Sequence, residues 1–398
     1  MKRPLILRSS QPEALIDVTR LLDRRMQGRL PTGVDRVSLE YVRHFGKRST
    51  ALVRFAGQWI ELSPGDSEQV FTALLAQEGA FNPLIRRVVI KAIPRSVSQR
   101  FSAPRFFFNT GHSGLEKMQY TQRLQRSKLK PLFFVHDLIP LTHPEYCRPG
   151  ESERHSVRMN TILLMGQGVI ANSAATLEEL SAYAQTNGLQ MPPSSVAPLA
   201  PARLSMLVSK VPLNKPYFVM LGTIEPRKNH WLMLQVWRQL IERLGQAAPC
   251  LVLIGQRGWE CENVVDLLER CEPLKGFVFE HSVCSDAELA SWLHHARALL
   301  FPSFTEGYGM PLVEALALGV PVIASDLPVF REIAGDIPEY VDPLDGKRWG
   351  NLVVEYATLG SQVRLDQCNR IAGFEAPTWE AHFGQVEELM ERLSVASS

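Results

Sequence analysis

The six cysteines, Cys147, Cys250, Cys261, Cys271, Cys284 and Cys368, include no C-x-x-C pair. That spacing excludes a zinc knuckle and gives no disulfide framework, so reduced thiols are expected. No uninterrupted apolar run approaches the roughly 18–20 residues of a membrane span, so any membrane contact is expected to be peripheral. Leu5-Ile6-Leu7 is too short for a secretory core and Arg8 ends it, which predicts a cytoplasmic protein. There is no internal repeat and no low-complexity tract. What is present is ordinary for a globular chain: 398 residues, 45% hydrophobic, 21% charged, net charge +2. This length can hold two separate cores.

The near-neutral total hides an asymmetry. Residues 1–200 carry 26 Lys and Arg against 16 Asp and Glu, and the remainder carries 17 against 25. A basic half and an acidic half imply different partners. The basic charge concentrates at residues 81–105, with Arg86, Arg87, Lys91, Arg95, Arg100 and Arg105 and no acid. There the apolar positions read as a helix over residues 84–93 ended by Pro94. A second basic helix is predicted over residues 117–130, with Lys117, Arg123, Arg126, Lys128 and Lys130. Such faces suit an anionic membrane surface, though they also occur as plain solvated faces.

Strands are predicted at residues 4–7, 105–109, 131–135, 168–171 and 195–198, with a further apolar patch at 15–18 and a hairpin at 51–63 around Gly57. Several end in polar residues: Thr110-Gly111-His112 after the second, His136-Asp137 after the third, Asn172-Ser173 after the fourth. A capping box, Thr176-x-x-Glu179, is expected to start the next helix. Residues 27–37, with Gly28, Pro31 and Gly33, read as a loop before an amphipathic helix, Asp35 and Arg36 being open to a local ion pair. Residues 201–216 read as a linker. A second alternation of strands and helices follows, with strands at 217–221, 250–254, 277–280, 298–301 and 320–324. The fold class is therefore α/β, two doubly wound sheets that present polar loops at strand C-terminal ends.

Residues 301–319 organise the second half. A buried strand leads into Glu306-Gly307-Tyr308-Gly309, and Pro311 opens a helix that carries Glu314 and stops at Gly319. A glycine loop feeding a helix N-terminus offers N–H groups and a positive dipole end to an anion. Carboxylates on either side could grip hydroxyls. A nucleotide-sugar has that layout of sugar, diphosphate and ribose; a plain strand-loop-helix connection is the alternative.

The string E-G-Y-G-M-P-x-x-E-A-x-A-x-G-x-P-V-I-A-S resembles the signature of retaining glycosyltransferases of family four, which have the GT-B fold of two facing Rossmann-like domains. The resemblance implies an acceptor-side domain over residues 1–205, a nucleotide-sugar domain over 206–376, and a helix over 377–398 that crosses back. It implies that Glu306 contacts the transferred sugar and that Lys228, with Arg227 beside it, meets the diphosphate. His136, in the family-like phrase His-Asp-Leu-Ile-Pro, reaches the donor sugar. Donor binding falls to Gly33, Gly222, Thr223, Val283, Gly307, Tyr308, Gly309, Met310, Pro311 and Glu314. Many members carry arginine where Thr223 stands, which shifts the expected second cation to Arg227. No general base is assigned, because the resemblance implies a front-face displacement in which the leaving diphosphate takes the acceptor proton.

No Asp-x-Asp occurs, so no metal or other cofactor is expected, and the cations and helix dipole must meet the diphosphate charge. The expected function is metal-independent transfer of a sugar to a growing or lipid-linked glycan of a surface polysaccharide. Mannose from GDP-mannose is the first donor, because His-Asp-Leu-Ile-Pro and Gly-Thr-Ile-Glu-Pro-Arg-Lys-Asn resemble mannosyltransferase-like members. The expected partners are a nucleotide-sugar, a glycan acceptor and an anionic membrane. Nucleic acid is disfavoured, since no recognition motif accompanies the charge. A GT-B epimerase and a catalytically silent nucleotide-sugar-binding or membrane scaffold protein are the alternatives.

Overall fold

The computed structural model describes residues 13–76, 81–96, 101, 104–202 and 211–395. The strand expected at residues 4–7, Arg100 and the domain boundary at 205/206 lie outside the described residues.

Two sheets carry the molecule. The first is built from β1 (Ala14–Asp17), β2 (Ser49–Phe55), β3 (Gln58–Glu61), β4 (Arg105–Asn109), β5 (Leu129–Val135), β6 (Gly168–Ala171) and β7 (Ser194–Val196), in the order β3-β2-β1-β4-β5-β6-β7. Its pairs are parallel except the hairpin β2–β3, turned by Ala56 and Gly57, both at positive φ. The second sheet holds β8 (Tyr217–Leu221), β9 (Cys250–Ile254), β10 (Val278–His281), β11 (Leu299–Phe301), β12 (Val322–Ser325) and β13 (Glu339–Val341). Its order is β10-β9-β8-β11-β12-β13, all parallel. Strands such as Leu-Lys-Pro-Leu-Phe-Phe-Val and Cys-Leu-Val-Leu-Ile are apolar almost throughout because helices cover both faces.

In each sheet the chain order reverses beside the first strand, between β1 and β4 and between β8 and β11. Loops at such a reversal diverge and open a crevice at the strand C-terminal ends. The C-terminal helix, Trp379–Val395, returns to the first sheet. Phe383, Val386, Leu389 and Leu393 join a core shared with Tyr41, Phe45 and Ile170. Its buried His382 hydrogen-bonds the carbonyls of Ala197 and Pro198, and its other ring nitrogen lies 3.2 Å from the Tyr41 hydroxyl.

Three local expectations are corrected. The first basic helix spans Phe81–Ser96 and includes Pro94, which sits in its last turn, where a missing N–H removes a single ladder bond. The second is only Met118–Gln125. Lys128 lies beyond it, and Lys130 belongs to β5, where its ammonium stands 5.7 Å from the centre of the Phe106 ring. The helix after β6 is capped by Ser173, whose hydroxyl accepts the Thr176 N–H at 3.1 Å, so Thr176 lies inside the first turn and is not the cap. All six cysteines are free. Among the described residues no helix is long and apolar enough to cross a membrane.

Candidate functional site

The loops after β8 and β11 meet at the reversal of the second sheet. Gly222 leaves β8 at φ +138°, and the Lys228 side chain folds over it: a Cβ there would lie 3.4 Å from Lys228 Cε. A short 3-10 turn, Pro226–Lys228, places the two cations side by side. Both turn onto Glu306 in the β11 loop. Lys228 Nζ lies 2.5 Å from one carboxylate oxygen and Arg227 Nη1 2.7 Å from the other. Arg227 Nε also pairs with buried Glu225 at 2.6 Å.

This cluster is almost dry, so the interactions are strong. Burial pushes the Glu306 carboxyl up, but Arg227 and Lys228 outweigh it and hold it down to about 2. Burial lowers the Lys228 ammonium against the pull of Glu306. Burial likewise opposes the charge on Arg227, yet Glu306 and Glu225 leave it more firmly protonated than usual.

Gly309, at φ +117°, turns the loop into the helix Met310–Ala317, with Pro311 in its first turn. A Cβ on Gly309 would strike Phe330 at 2.7 Å. Glu314 is buried on this helix, and burial raises its carboxyl to about 7 despite Arg36. Arg36 comes from the first domain: its guanidinium lies 3.8 Å from Glu314 and 3.2 Å from Asp286. The expected local pair of Asp35 with Arg36 is therefore not formed. Asp35 is buried against Arg20 and Arg24, both at 2.8 Å, and completes the helix cap with Thr32.

Residues 206–337 match the family model described as "Glycosyl transferases group 1". The serotype-specific mannosyltransferase WbdA of Escherichia coli is 31% identical over 218 residues, 51% of this chain and 26% of that protein. The O-antigen chain mannosyltransferase B of Escherichia coli is 35% identical over 153 residues, 38% of this chain and 40% of that protein. The chain thus matches less than half the length of either. Among solved structures, Anabaena Alr3699/HepE in complex with UDP-glucose superposes with a TM-score of 0.63 at 14% identity, covering 96% of this chain and 99% of that one. Over residues 206–337 the second domain is similar to the group 1 glycosyl transferases. The fold of the chain is GT-B.

The first domain closes on the second at the same loop. A Cβ on Gly307 would stand 2.3 Å from the His136 carbonyl oxygen and 2.6 Å from Asp137 Cβ, so only glycine permits the approach. Ser173 and Thr176 donate hydroxyl hydrogens to the Gly307 carbonyl at 3.3 and 3.0 Å. The Glu332 carboxylate accepts the N–H groups of Ala174 and Ala175, at the first turn of the first-domain helix Ala174–Thr186. Tyr308 is bolted to the first domain too, its hydroxyl donating to the Leu199 carbonyl at 2.8 Å. Its buried hydroxyl is thereby used at the domain seam.

His136 is brought to this seam. Its Nε2–H donates to the Thr110 carbonyl at 2.7 Å, which fixes the tautomer and leaves Nδ1 as an acceptor. Burial lowers its pKa. Buried His112 and His155 stand nearby and are also held low by burial. Three expected donor-binding residues are less engaged. Gly33 is exposed, with nothing within 4 Å of its Cβ position. Thr223 is exposed, and Val283 is 71% exposed. Sequence reasoning missed Glu225, Arg36, Ser173 and Thr176 as site residues. Glu225 sits two residues before Arg227 in the string that identified the cations. The others carry no local signal, because their partners lie across the domain seam.

Proposed function

We propose that the protein is a retaining, metal-independent hexosyltransferase. It moves a sugar, mannose from GDP-mannose as first candidate, from a nucleotide-sugar to a lipid-linked or growing glycan of a surface polysaccharide. The observation that carries this reading is the convergence of Lys228 and Arg227 on Glu306 beside a glycine loop that opens a helix. Buried Lys228, half-buried Arg227 and a helix N-terminus stabilise charge that develops on a departing diphosphate. The bond from the anomeric carbon to the diphosphate oxygen breaks, and the acceptor oxygen bonds to that carbon on the same face. Its proton passes to the leaving diphosphate. Lys228 and Arg227 hold the diphosphate, Glu306 holds sugar hydroxyls, and neutral His136 accepts a hydroxyl hydrogen through Nδ1. Glu314 receives the ribose hydroxyls.

The mannosyl choice is supported by the names of the two relatives, and the nucleotide-sugar class by a fold neighbour solved with UDP-glucose. A thermal-shift panel of GDP-mannose, UDP-glucose, UDP-galactose and dTDP-rhamnose tests it, because a ligand of the folded state raises its midpoint. GDP-mannose should raise it most. A larger shift with another nucleotide-sugar would replace the donor, and no shift with any would remove the proposed site.

Membrane contact is the finer part of the reading. On the helix Phe81–Ser96, Ile90 is 66% exposed amid the exposed residues Arg86, Arg87 and Lys91, Lys91 also reaching Asp66 at 3.0 Å. An apolar side chain amid cations suits an anionic bilayer surface.

A further inference from the structure

Three adjoining cavities run outward across the first domain from His136. The innermost, about 270 Å³, is walled by His136, Asp137, His155 and the turn Ser113-Gly114 with Glu116. That turn and Glu116 also wall the next, again about 270 Å³, which reaches Thr19, Arg54 and the hairpin tip. Ala56, Gly57, Gln58 and Gln119 are in turn shared with the third, about 760 Å³, which ends at Arg126 and Ser127. Shared walls set these cavities end to end along one track across the domain. It begins where the first sheet reverses its strand order, since Thr19 follows β1 and Ser113 follows β4, the place where an α/β sheet opens a ligand crevice.

The lining is mostly polar: imidazoles and the carboxylates of Asp137 and Glu116 at the inner end, then amide, hydroxyl and guanidinium groups with the Trp59 and Phe101 rings towards the outer end. Gln119, Gln122 and Arg126 are exposed and stand three and four residues apart along the helix Met118–Gln125 and its cap, so they share one face of it. Each amide both donates and accepts hydrogen bonds, which matches neighbouring sugar hydroxyls. Four of the five guanidinium groups of the walls are already engaged: Arg20 with Asp35 at 2.8 Å, Arg54 with Asp17 at 2.8 Å, Arg158 with Glu116 at 3.2 Å, and Arg123 with Gln58 at 2.8 Å; the fifth, Arg126, is exposed at the outer end. This favours a neutral polyhydroxyl chain over a polyanion. The hairpin tip offers little bulk, since Gly57 has no side chain and a Cβ there would come within 3.5 Å of Gln119 Oε1. The inner compartment lies just below the size that takes a drug-sized ligand, and the outer one is well within it.

We propose that this track of cavities binds the acceptor as a chain of several neutral sugar units. The terminal unit lies against His136, and the preceding units run past Gln58 and Gln119 towards Arg126. The inference rests on the glycosyl-transfer reading and adds the acceptor class: an oligosaccharide recognised over several rings, as opposed to a single sugar or a bare lipid.

The probe is a panel of neutral oligosaccharides of one to six units, built from mannose, glucose, galactose, N-acetylglucosamine or rhamnose, titrated calorimetrically into the full-length protein. At least one series should bind tenfold or more tightly at four units than at one. Gln119→Ala combined with Gln122→Ala, both on an exposed helix face, should reduce the four-unit affinity to that of the single unit while nucleotide-sugar binding is kept. Affinity that does not grow with length in any series overturns the proposal, as does a length gain that survives the double substitution. Nucleotide-sugar hydrolysis is measured in parallel on the native chain. Its absence alongside length-dependent glycan binding would defeat the transfer reading and leave the glycan track standing.

Discussion

With Glu314 receiving the ribose hydroxyls as proposed, nucleotide-sugar binding should depend on pH. The Glu314 carboxyl sits at about 7, raised from an ordinary 4.5 by burial on the helix after the glycine loop, with Arg36 too far away to restore it. Hydroxyls that donate to a carboxylate favour its ionised form, so binding should recruit the deprotonated state. If only that state binds, the apparent Kd grows by one plus the ratio of protonated to ionised Glu314. That ratio is about ten at pH 6 and about one tenth at pH 8 for a group at about 7, so binding should be about tenfold tighter at pH 8. A nucleotide-sugar is the right probe, because its phosphates are both esterified and do not titrate in this window. Burial holds His136, His112 and His155 below the ordinary histidine range, which moves their titration towards acid. Without ligand the linkage has a definite sign. The folded-state pKa lies above the unfolded one, so this group makes the protein less stable as pH rises from about 4.5 to about 7. Isothermal titration between pH 6 and 8 reads the effect, and proton release on binding appears as a buffer-dependent heat. Glu314→Gln should flatten the profile. A native Kd that does not change with pH, or an equal slope in Glu314→Gln, would refute the reasoning.

Transfer should persist in EDTA if Lys228 and Arg227 meet the diphosphate charge as proposed; loss in EDTA with recovery in manganese contradicts this. Gly307→Ala should cut transfer by about 10²-fold, the scale of a 1 Å misplacement, because its Cβ would press on the His136 carbonyl at 2.3 Å and hold the domains apart. Scattering should show a more open particle, and a variant with native rate and shape would mean the approach is dispensable. Reversing Arg86, Arg87 and Lys91 to Glu should abolish sedimentation with anionic liposomes, each cation near the surface contributing about 1 kcal/mol. Liposome binding indifferent to both salt and the reversal leaves those residues as a solvated face.

The strand-loop-helix around Glu306 was legible because its chemistry is local: glycines, a proline and two carboxylates lie within a few turns of chain. The strands at residues 105–109, 168–171, 217–221 and 250–254 were legible as well, since burial on both faces leaves continuous apolar runs. The seam was not. Arg36 faces Glu314, and Glu332 caps a helix 158 residues earlier in the chain, and no periodicity announces either pair. Charge runs misled for a related reason. Residues 117–130 look uniform in composition, yet the apolar run of β5 extends upstream through Lys130 and divides them between a helix and a strand. Thr176 and Ser173 are both good caps in sequence, and the end of β6 decides for Ser173.

The central claim is that Lys228, Arg227 and Glu306 form the charge-bearing part of a sugar-transfer site. Time-resolved NMR of nucleotide-sugar consumption tests it most directly, with the native protein, Glu306→Ala and Lys228→Ala compared under identical conditions. The account predicts slow hydrolysis, or faster transfer when a glycan acceptor is supplied, with retention at the anomeric carbon. It predicts a loss of about 10²-fold or more in each variant, as for groups that stabilise transition-state charge. Consumption at the native rate in both variants, or inversion at the anomeric carbon, would contradict it.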